Sequence, residues 1–186
     1  MEIIKLPEIK KKKIQEKIIS LIKSGKIFIY PTDTVYGLGC NALNQKAVQR
    51  IREIKKSNQS FSVIAPSKQW ITKNFVIKFP EYLEKLPGPY TLILKMKKQI
   101  VPEIVSKNTL GIRIPKHTFT KIIQKSGLPF VTTSCNVHGH RPISEIKESP
   151  KEVFKKVDTI IDAGKLDSPA SKVIDLTGKR PKILRK

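Results

Sequence analysis

Small hydroxyl and amide side chains recur at the ends of the predicted strands, where they could hold a ligand. They are Thr32, Thr34, Thr109, Thr133, Ser134, Asn136 and Ser171, and the cation Arg113 lies inside one of these strands. In open α/β sheets, ligands bind at strand ends and helix N-termini, where backbone N–H groups are free. Any one of these residues could instead serve a turn or a cap. Together they predict a cradle for an anionic small molecule, with a guanidinium that can hold a carboxylate through two parallel bonds.

The usual catalytic motifs are missing from the sequence. It contains no G-x-S-x-G elbow, no G-x-x-x-x-G-K-[ST] phosphate loop and no G-x-G-x-x-G fingerprint. His138 and His140 form an H-x-H pair, but no acidic or sulfur partner completes a familiar metal spacing, so a polar loop is favoured over a metal site. Cys135 could be a nucleophile, yet a small, half-buried residue beside a strand end is the better interpretation.

Composition indicates one globular domain spanning residues 1–186. No Ser/Gly/Pro-rich linker divides the chain, and 39% hydrophobic residues are enough to build a core. The apolar runs are too short to cross a bilayer, and the N-terminus lacks the features of a signal peptide. The two cysteines, Cys40 and Cys135, have neither a redox nor a zinc spacing. We therefore expect a cytoplasmic protein with free thiols and no membrane partner.

The formal charge of +22 has two interpretations. It could mark an RNA-binding face, or it could be a general bias toward lysine. Basic residues run through the whole chain and no aromatic residues interleave with them, which favours a generally basic surface with at most weak RNA or tRNA binding. In either case the charge favours anionic ligands.

Predicted strands alternate with predicted helices, which is typical of an open α/β sheet. The first predicted helix has an apolar face formed by Ile14, Ile18, Leu21 and Ile22, and it ends at Gly25. The other predicted helices are Asn44–Ile54, Ser67–Lys73, His117–Ser126 and Pro150–Val157. The predicted strands are Lys26–Tyr30, Phe61–Ala65, Tyr90–Lys95, Gly111–Ile114, Phe130–Thr133, Thr159–Ile161, Lys172–Leu176 and Lys182–Leu184. Several short late strands indicate a mixed sheet. Residues 31–43 are predicted to form a loop.

That loop belongs to a series of motifs that resemble one family. The stretch YPTDTVYGLGCNA, residues 30–42, resembles the signature loop of the YrdC family, the threonylcarbamoyl-AMP synthases. The resemblance continues in order through IREIKK (51–56), LPGPYTLILK (86–95), LGIRIPKH (110–117), TTSCNVHGHRP (132–142), SKVIDL (171–176) and ILR (183–185). It covers nearly the whole chain from about Lys13 onward, and the chain resembles the short form of the family, so no additional C-terminal domain like that of larger relatives is expected.

The resemblance implies a fold and a reaction. The implied fold is a twisted, open, mixed α/β sheet with packed helices around a basic cavity. The implied reaction is that of a nucleotidyltransferase, which joins L-threonine, bicarbonate and ATP into threonylcarbamoyl-AMP and releases pyrophosphate. Mg²⁺ is expected to arrive with ATP, without a dedicated protein metal site. A separate complex is expected to transfer the threonylcarbamoyl group to tRNA.

Two alternatives stay open. One is an RNA-binding or ribosome-assembly module of the same fold without synthase activity. The other is a related cavity enzyme acting on a sugar phosphate or carbamoyl phosphate, which would need acidic metal ligands. The candidate loops offer only Asp33 for that purpose.

The resemblance also implies roles for individual residues. Lys55, at the nucleotide phosphates, and Arg113, at the threonine carboxylate, are the expected catalytic groups. The expected threonine-binding residues are Thr32, Arg113, Thr133 and Ser171. The expected ATP-binding residues are Lys55, Lys56, Thr109, Ser134, Cys135, Asn136, Ser144 and Arg185. Ser57 stands where the family usually has an arginine, and Lys56 could partly replace it. Gly37 and Gly39 are expected to let the backbone approach the reacting groups. Because no general base is evident, we expect catalysis by proximity and electrostatics.

Overall fold

A mixed sheet forms the centre of the molecule. The computed structural model describes residues 1–137 and 139–186, and eleven strands form the sheet within that part of the chain. The strands are β1 (Glu2–Lys5), β2 (Phe28–Tyr30), β3 (Gly37–Gly39), β4 (Ser62–Ile64), β5 (Phe75–Val76), β6 (Tyr90–Met96), β7 (Thr109–Arg113), β8 (Phe130–Ser134), β9 (Thr159–Asp162), β10 (Lys172–Asp175) and β11 (Lys182–Arg185). The α-helices are α1 (Lys12–Lys23), α2 (Gln45–Lys55), α3 (Lys68–Asn74), α4 (Thr118–Lys125) and α5 (Lys151–Phe154). Short 3₁₀ helices cover Leu6–Lys10, Pro80–Lys85 and Ile146–Glu148.

The strand order is β1-β9-β2-β3-β8-β4-β7-β6-β10-β11, with β5 paired to β6. The pairs β1/β9, β2/β9, β4/β7 and β6/β10 are parallel. The pairs β2/β3, β3/β8, β4/β8, β5/β6, β6/β7 and β10/β11 are antiparallel. Because β1 and β11 stand at opposite ends of this order, the sheet is open. The predicted open, mixed α/β sheet is confirmed.

Helices cover both faces of the sheet. Strand β2 and the residue before it show this directly, because side chains alternate across a strand. Ile27 and Ile29 belong to one buried cluster, and Phe28 and Tyr30 belong to another. The first cluster includes the apolar face of α2, and the second includes those of α1 and α4. The strand that precedes the signature loop is therefore fixed from both sides.

All predicted helices and strands are present, with ends that differ by a few residues. Four predicted first helical residues prove to be N-caps, namely Asn44, Ser67, His117 and Pro150. The side-chain oxygens of Asn44 and Ser67 accept hydrogen bonds from the N–H groups of Ala47 and Trp70, each at 3.0 Å. The sequence analysis missed β1, β5 and β3.

The prediction of an unbroken loop over residues 31–43 is wrong. Strand β3 lies within it and pairs antiparallel with β2, with Tyr30 opposite Gly37 and Phe28 opposite Gly39. A Cβ atom on Gly37 would lie 2.7 Å from the Tyr30 ring. A Cβ atom on Gly39 would collide with the Val131 carbonyl oxygen. These two glycines therefore allow close packing within the sheet. Gly37 also lines the cavity described below, and the expectation that both glycines let the backbone approach the reacting groups stays a prediction.

Candidate active site

A cavity of about 590 Å³ opens on the sheet. The signature loop, the chain after α2 and residues of β4, β6, β7, β8 and β10 line it, and Arg185 of β11 completes the lining. A volume of this order is typical of small-molecule sites, which span roughly 300–1,000 Å³.

Nine of the twelve candidate site residues line this cavity. They are Thr32, Lys55, Thr109, Arg113, Thr133, Ser134, Asn136, Ser171 and Arg185. They come from positions between 32 and 185, and the sheet brings them together. The individual ligand assigned to each of them stays a prediction.

The other three candidates do not line the cavity. Lys56 has a left-handed backbone (φ 49°) after the end of α2, and its exposed ammonium pairs with Glu152 at 3.2 Å. The side chain of Cys135 is fully buried in the core. The Ser144 hydroxyl donates to the Glu148 carboxylate, with distances of 3.1 and 3.2 Å. The geometry therefore gives no support to the nucleotide contacts expected of these three residues.

Several lining residues were missed by the sequence analysis. They are mostly small and neutral: Ser57, Gln59, Ser60, Ser62, Thr91 and Ser106. Ser62 and Thr91 were detectable, because each is a hydroxyl residue near the start of a predicted strand. Ser57, Gln59 and Ser60 follow α2, and no strand-end pattern marks them.

Lys55 is held in the cavity wall by two acceptors. It is the last residue of α2, and only 5% of its surface is exposed. Its ammonium donates to the backbone carbonyl of Ser134 at 2.9 Å and to the side-chain oxygen of Asn136. The Ser134 hydroxyl donates to the same Asn136 oxygen at 2.6 Å. Burial lowers the pKa of Lys55 to about 8.

Arg113 lies on the cavity side of β7. Its neighbours Ile112 and Ile114 are buried in the core, as the alternation of strand side chains predicts. Its Nη2 donates to Asp33 Oδ1 at 3.0 Å and to Thr34 Oγ1 at 3.2 Å. Burial lowers the pKa of the guanidinium, and the Asp33 carboxylate opposes that shift.

Arg185 joins β11 to the cavity wall. Its Nε donates to the Ser171 carbonyl at 2.8 Å, and its Nη2 donates to the Ser171 hydroxyl at 3.0 Å. The Ser171 hydroxyl lies 3.0 Å from the Thr91 hydroxyl. This chain of contacts links β11, β6 and the residue before β10 in the cavity wall.

The hydroxyls of the signature loop bond both within the loop and to other parts of the chain. Thr32 Oγ1 donates to the Val35 carbonyl at 2.8 Å, accepts from the Thr34 N–H at 3.0 Å and lies 2.9 Å from Thr34 Oγ1. The Tyr36 hydroxyl donates to the Gly164 carbonyl at 2.8 Å and accepts from the Ala163 N–H at 2.9 Å. These contacts tie the loop to itself and to the residues that follow β9.

The charge of the cavity favours anions. Among the described residues that line it, Lys55, Arg113 and Arg185 are cations and none is an aspartate or glutamate. Within the same part of the chain no group of three His, Cys, Asp or Glu side chains could hold a metal ion. His138, one half of the H-x-H pair, lies outside the described residues. No described helix is long and apolar enough to cross a membrane.

An open mixed sheet with a cationic, hydroxyl-lined cavity defines a small-molecule-binding α/β domain. Comparison with known proteins identifies its family. Residues 20–186 match the Sua5/YciO/YrdC family model, which is described as telomere recombination. The chain belongs to the Sua5/YciO/YrdC family.

Relatives of the chain carry synthase names. A putative threonylcarbamoyl-AMP synthase of Methanocaldococcus jannaschii is 41% identical over 170 residues, which cover 89% of this chain and 81% of that protein. The threonylcarbamoyl-AMP synthase of Pyrococcus abyssi is 34% identical over 174 residues, which cover 88% of this chain and 51% of that protein. The chain thus spans about half the length of the Pyrococcus protein.

Solved structures share the fold. The structure of P. abyssi Sua5 complexed with L-threonine matches with a TM-score of 0.85 at 29% identity, covering 99% of this chain and 56% of that one. The structure of Escherichia coli YciO matches with a TM-score of 0.84 at 26% identity, covering 95% of this chain and 90% of that one.

Proposed function

We propose that this chain is an L-threonylcarbamoyladenylate synthase, which forms threonylcarbamoyl-AMP and pyrophosphate from L-threonine, bicarbonate and ATP. The observation that carries the assignment is a cavity with three cations and no carboxylate among its described lining residues. It lies in a chain that is 41% and 34% identical to proteins named as such synthases. All three proposed substrates present negatively charged groups to such a cavity.

The threonine would bind near the signature loop. Arg113 supplies the cation for its carboxylate, and the hydroxyls of Thr32, Thr133 and Ser171 supply hydrogen bonds. The buried, fixed position of Arg113 supports this role, because a donor that is already oriented loses little freedom on binding.

The nucleotide would bind near the end of α2. Lys55 supplies the cation for its phosphates, while Thr109, Ser134, Asn136 and Arg185 supply further polar contacts. Mg²⁺ would enter as part of the MgATP substrate, held by the phosphates, because the described cavity lining offers it no carboxylate.

The reaction requires anions to meet. The threonine nitrogen forms a bond to the carbon of CO₂ supplied by bicarbonate, and a proton and water are released. An oxygen of the resulting carbamate attacks the α-phosphorus of ATP, and the bond to the pyrophosphate oxygen breaks. Two like unit charges 4 Å apart repel by about 4 kcal/mol at an effective dielectric constant near 20. The cations of the cavity offset repulsion of this size, so positioning and electrostatics carry the catalysis.

Detection of the product tests this function. The protein is incubated with MgATP, L-threonine and bicarbonate, and threonylcarbamoyl-AMP is measured by mass spectrometry beside pyrophosphate. Both products are expected in equal amounts, and neither without threonine. Pyrophosphate release that does not depend on threonine would overturn the assignment.

The proposed product defines the partners. Threonylcarbamoyl-AMP would pass to a separate complex that transfers the threonylcarbamoyl group to tRNA, which is consistent with a cytoplasmic location. An RNA-binding module would instead give salt-dependent RNA binding and no threonine-dependent pyrophosphate.

A further inference from the structure

Asp33 connects the signature loop to the end of β7. Its Oδ1 accepts from Arg113 Nη2 at 3.0 Å, and its Oδ2 accepts from the backbone N–H of Lys116 at 2.8 Å. The side chains of Asp33 and Arg113 are only 11% and 10% exposed. Asp33 is not among the residues that line the cavity, so it can influence a ligand there only through its neighbours.

Only one nitrogen of the Arg113 guanidinium, Nη2, donates hydrogen bonds to described residues. Nη2 has two hydrogens, and Asp33 and Thr34 provide an acceptor for each. No described residue accepts a hydrogen bond from Nη1, and Nε is buried without a partner. Buried donors without partners are rare in proteins and often occur at functional sites. The protein therefore holds one end of the guanidinium and leaves the other donors unused.

We propose that Asp33 is a positioning residue: it fixes Arg113 through Nη2 and so reserves Nη1 for a carboxylate bound in the cavity. The identity of that carboxylate, L-threonine, rests on the proposed function. Arginine side chains have many rotamers, and a donor fixed in advance spares the ligand the cost of ordering it.

Charge and positioning predict opposite effects for the loss of Asp33. Its carboxylate partly neutralises Arg113, so removing it would by charge alone strengthen the binding of an anion. If Asp33 acts by positioning, its removal frees the guanidinium and weakens binding. Whether threonine affinity rises or falls in the variant therefore distinguishes an effect of charge from an effect of positioning.

The chain offers a matched control in Asp158. This carboxylate also accepts from an arginine and from a backbone amide, namely Arg50 Nη1 at 3.2 Å and the Ile27 N–H at 2.8 Å. None of these three residues lines the cavity. Asp158→Ala removes the same kinds of bonds, so any effect of general loosening appears in both variants.

The first measurement is calorimetric titration with L-threonine and, separately, with MgATP. Asp33→Ala is expected to weaken threonine binding at least about tenfold and to change ATP binding by less than about threefold. Asp158→Ala is expected to leave both affinities unchanged. Threonine binding by Asp33→Ala that equals or exceeds that of the wild type would overturn the positioning role. An equal loss in Asp158→Ala would do the same.

The second measurement needs no ligand. The chain has six arginines, so ¹⁵N spectra of their side chains are simple, and Arg113→Lys identifies the signals of Arg113. Separate Nη1 and Nη2 signals are expected for Arg113 in the wild type, and a single averaged signal in Asp33→Ala. Nη1 and Nη2 signals that stay separate in Asp33→Ala would overturn the positioning role. If the wild-type protein binds no threonine in the titration, only the proposed function is overturned. If Asp33→Ala does not fold, Asp33→Asn is judged by the same criteria, because its one amide oxygen cannot serve both Arg113 and Lys116.

Discussion

The side chains of Lys55 and Asn136 are hydrogen-bonded to each other, which joins the end of α2 to the segment after β8. The two residues are 81 positions apart in sequence. Lys55 has a second acceptor in the Ser134 carbonyl, so two of its three ammonium hydrogens have protein partners. One N–H is left for a phosphate oxygen, and it belongs to a side chain whose position is already fixed.

Lys55→Ala is expected to reduce ATP use strongly. A hydrogen bond to a charged group contributes about 1.5–3 kcal/mol, which corresponds to a loss of about 10- to 150-fold. Threonine-dependent pyrophosphate release, measured against ATP concentration, checks this. Lys56→Ala is the matched control, because Lys56 is exposed and pairs with Glu152 outside the cavity. Equal, small losses in both variants would remove the phosphate role from this lysine.

The affinity for ATP is expected to fall at alkaline pH. Burial lowers the pKa of Lys55 to about 8 in the free protein, and a bound phosphate raises it again. Between those two pKa values the complex holds more protons than the free protein, so affinity is full below pH 8 and decreases above it. Calorimetric ATP titrations between about pH 7.5 and 9.5 measure the slope. Lys55→Ala should abolish it, and a flat profile in the wild type would contradict the role of this amine.

Arg113→Lys is expected to weaken threonine binding by about 10- to 150-fold. A lysine keeps the charge, but its ammonium cannot bond Asp33, Thr34 and a ligand with the planar geometry of a guanidinium. Threonine titration by calorimetry measures the loss, and thermal melts show whether the fold is intact. Unchanged affinity would remove Arg113 from the threonine site. Arg113→Ala serves as the contrast, because an unpaired buried carboxylate on Asp33 would lower the free energy of unfolding by about 3 kcal/mol or more.

Gly39→Ala is expected to destabilise the protein without a direct effect on ligands. Its Cβ would collide with the Val131 carbonyl oxygen and the Phe130 ring, and overpacking of this kind costs about 1–3 kcal/mol. Denaturant unfolding measures the change. Gly178→Ala is the control, because its nearest contact would be the Arg180 carbonyl oxygen at 3.6 Å. A Gly39→Ala protein as stable as the control would contradict the packing explanation.

RNA binding is expected to be weak and insensitive to sequence. A protein that contacts many phosphates through lysines loses affinity steeply with salt, by about 10³- to 10⁵-fold between 50 and 200 mM for six to ten contacts. Fluorescence titrations with tRNA and with an unrelated RNA of equal length measure both properties. Tight, tRNA-selective binding at physiological ionic strength would instead support a dedicated RNA-binding surface.

Local patterns were sufficient where the structure depends on local sequence. The alternation of Ile112, Arg113 and Ile114 predicted correctly that the guanidinium faces away from the core. All seven strand-end hydroxyl and amide residues singled out from the sequence line the cavity, because strand ends meet where strands pair.

Local sequence patterns did not predict the features that depend on contacts between residues far apart in the chain. Strand β3 has three residues, two of them glycines, and its pairing with β2 and β8 makes it a strand. Lys55 and Lys56 have the same side chain, but Lys55 is buried in the cavity wall, whereas Lys56, in the left-handed turn after α2, is exposed and pairs with Glu152. The contact of Ser171 with Arg185 follows from the β10/β11 pairing, which no short motif contains.

The strands that form the cavity are neighbours in the sheet but far apart in the chain, so the cavity forms only when the whole sheet folds. Phe28 pairs with Thr159, and the cavity wall draws on β4, β6, β7, β8, β10 and β11. Contacts of such high sequence separation form late in folding, because the loops between them must close first. No small subset of strands assembles the cavity alone, so a bound ligand would slow amide hydrogen exchange across the sheet and not only at the residues it touches.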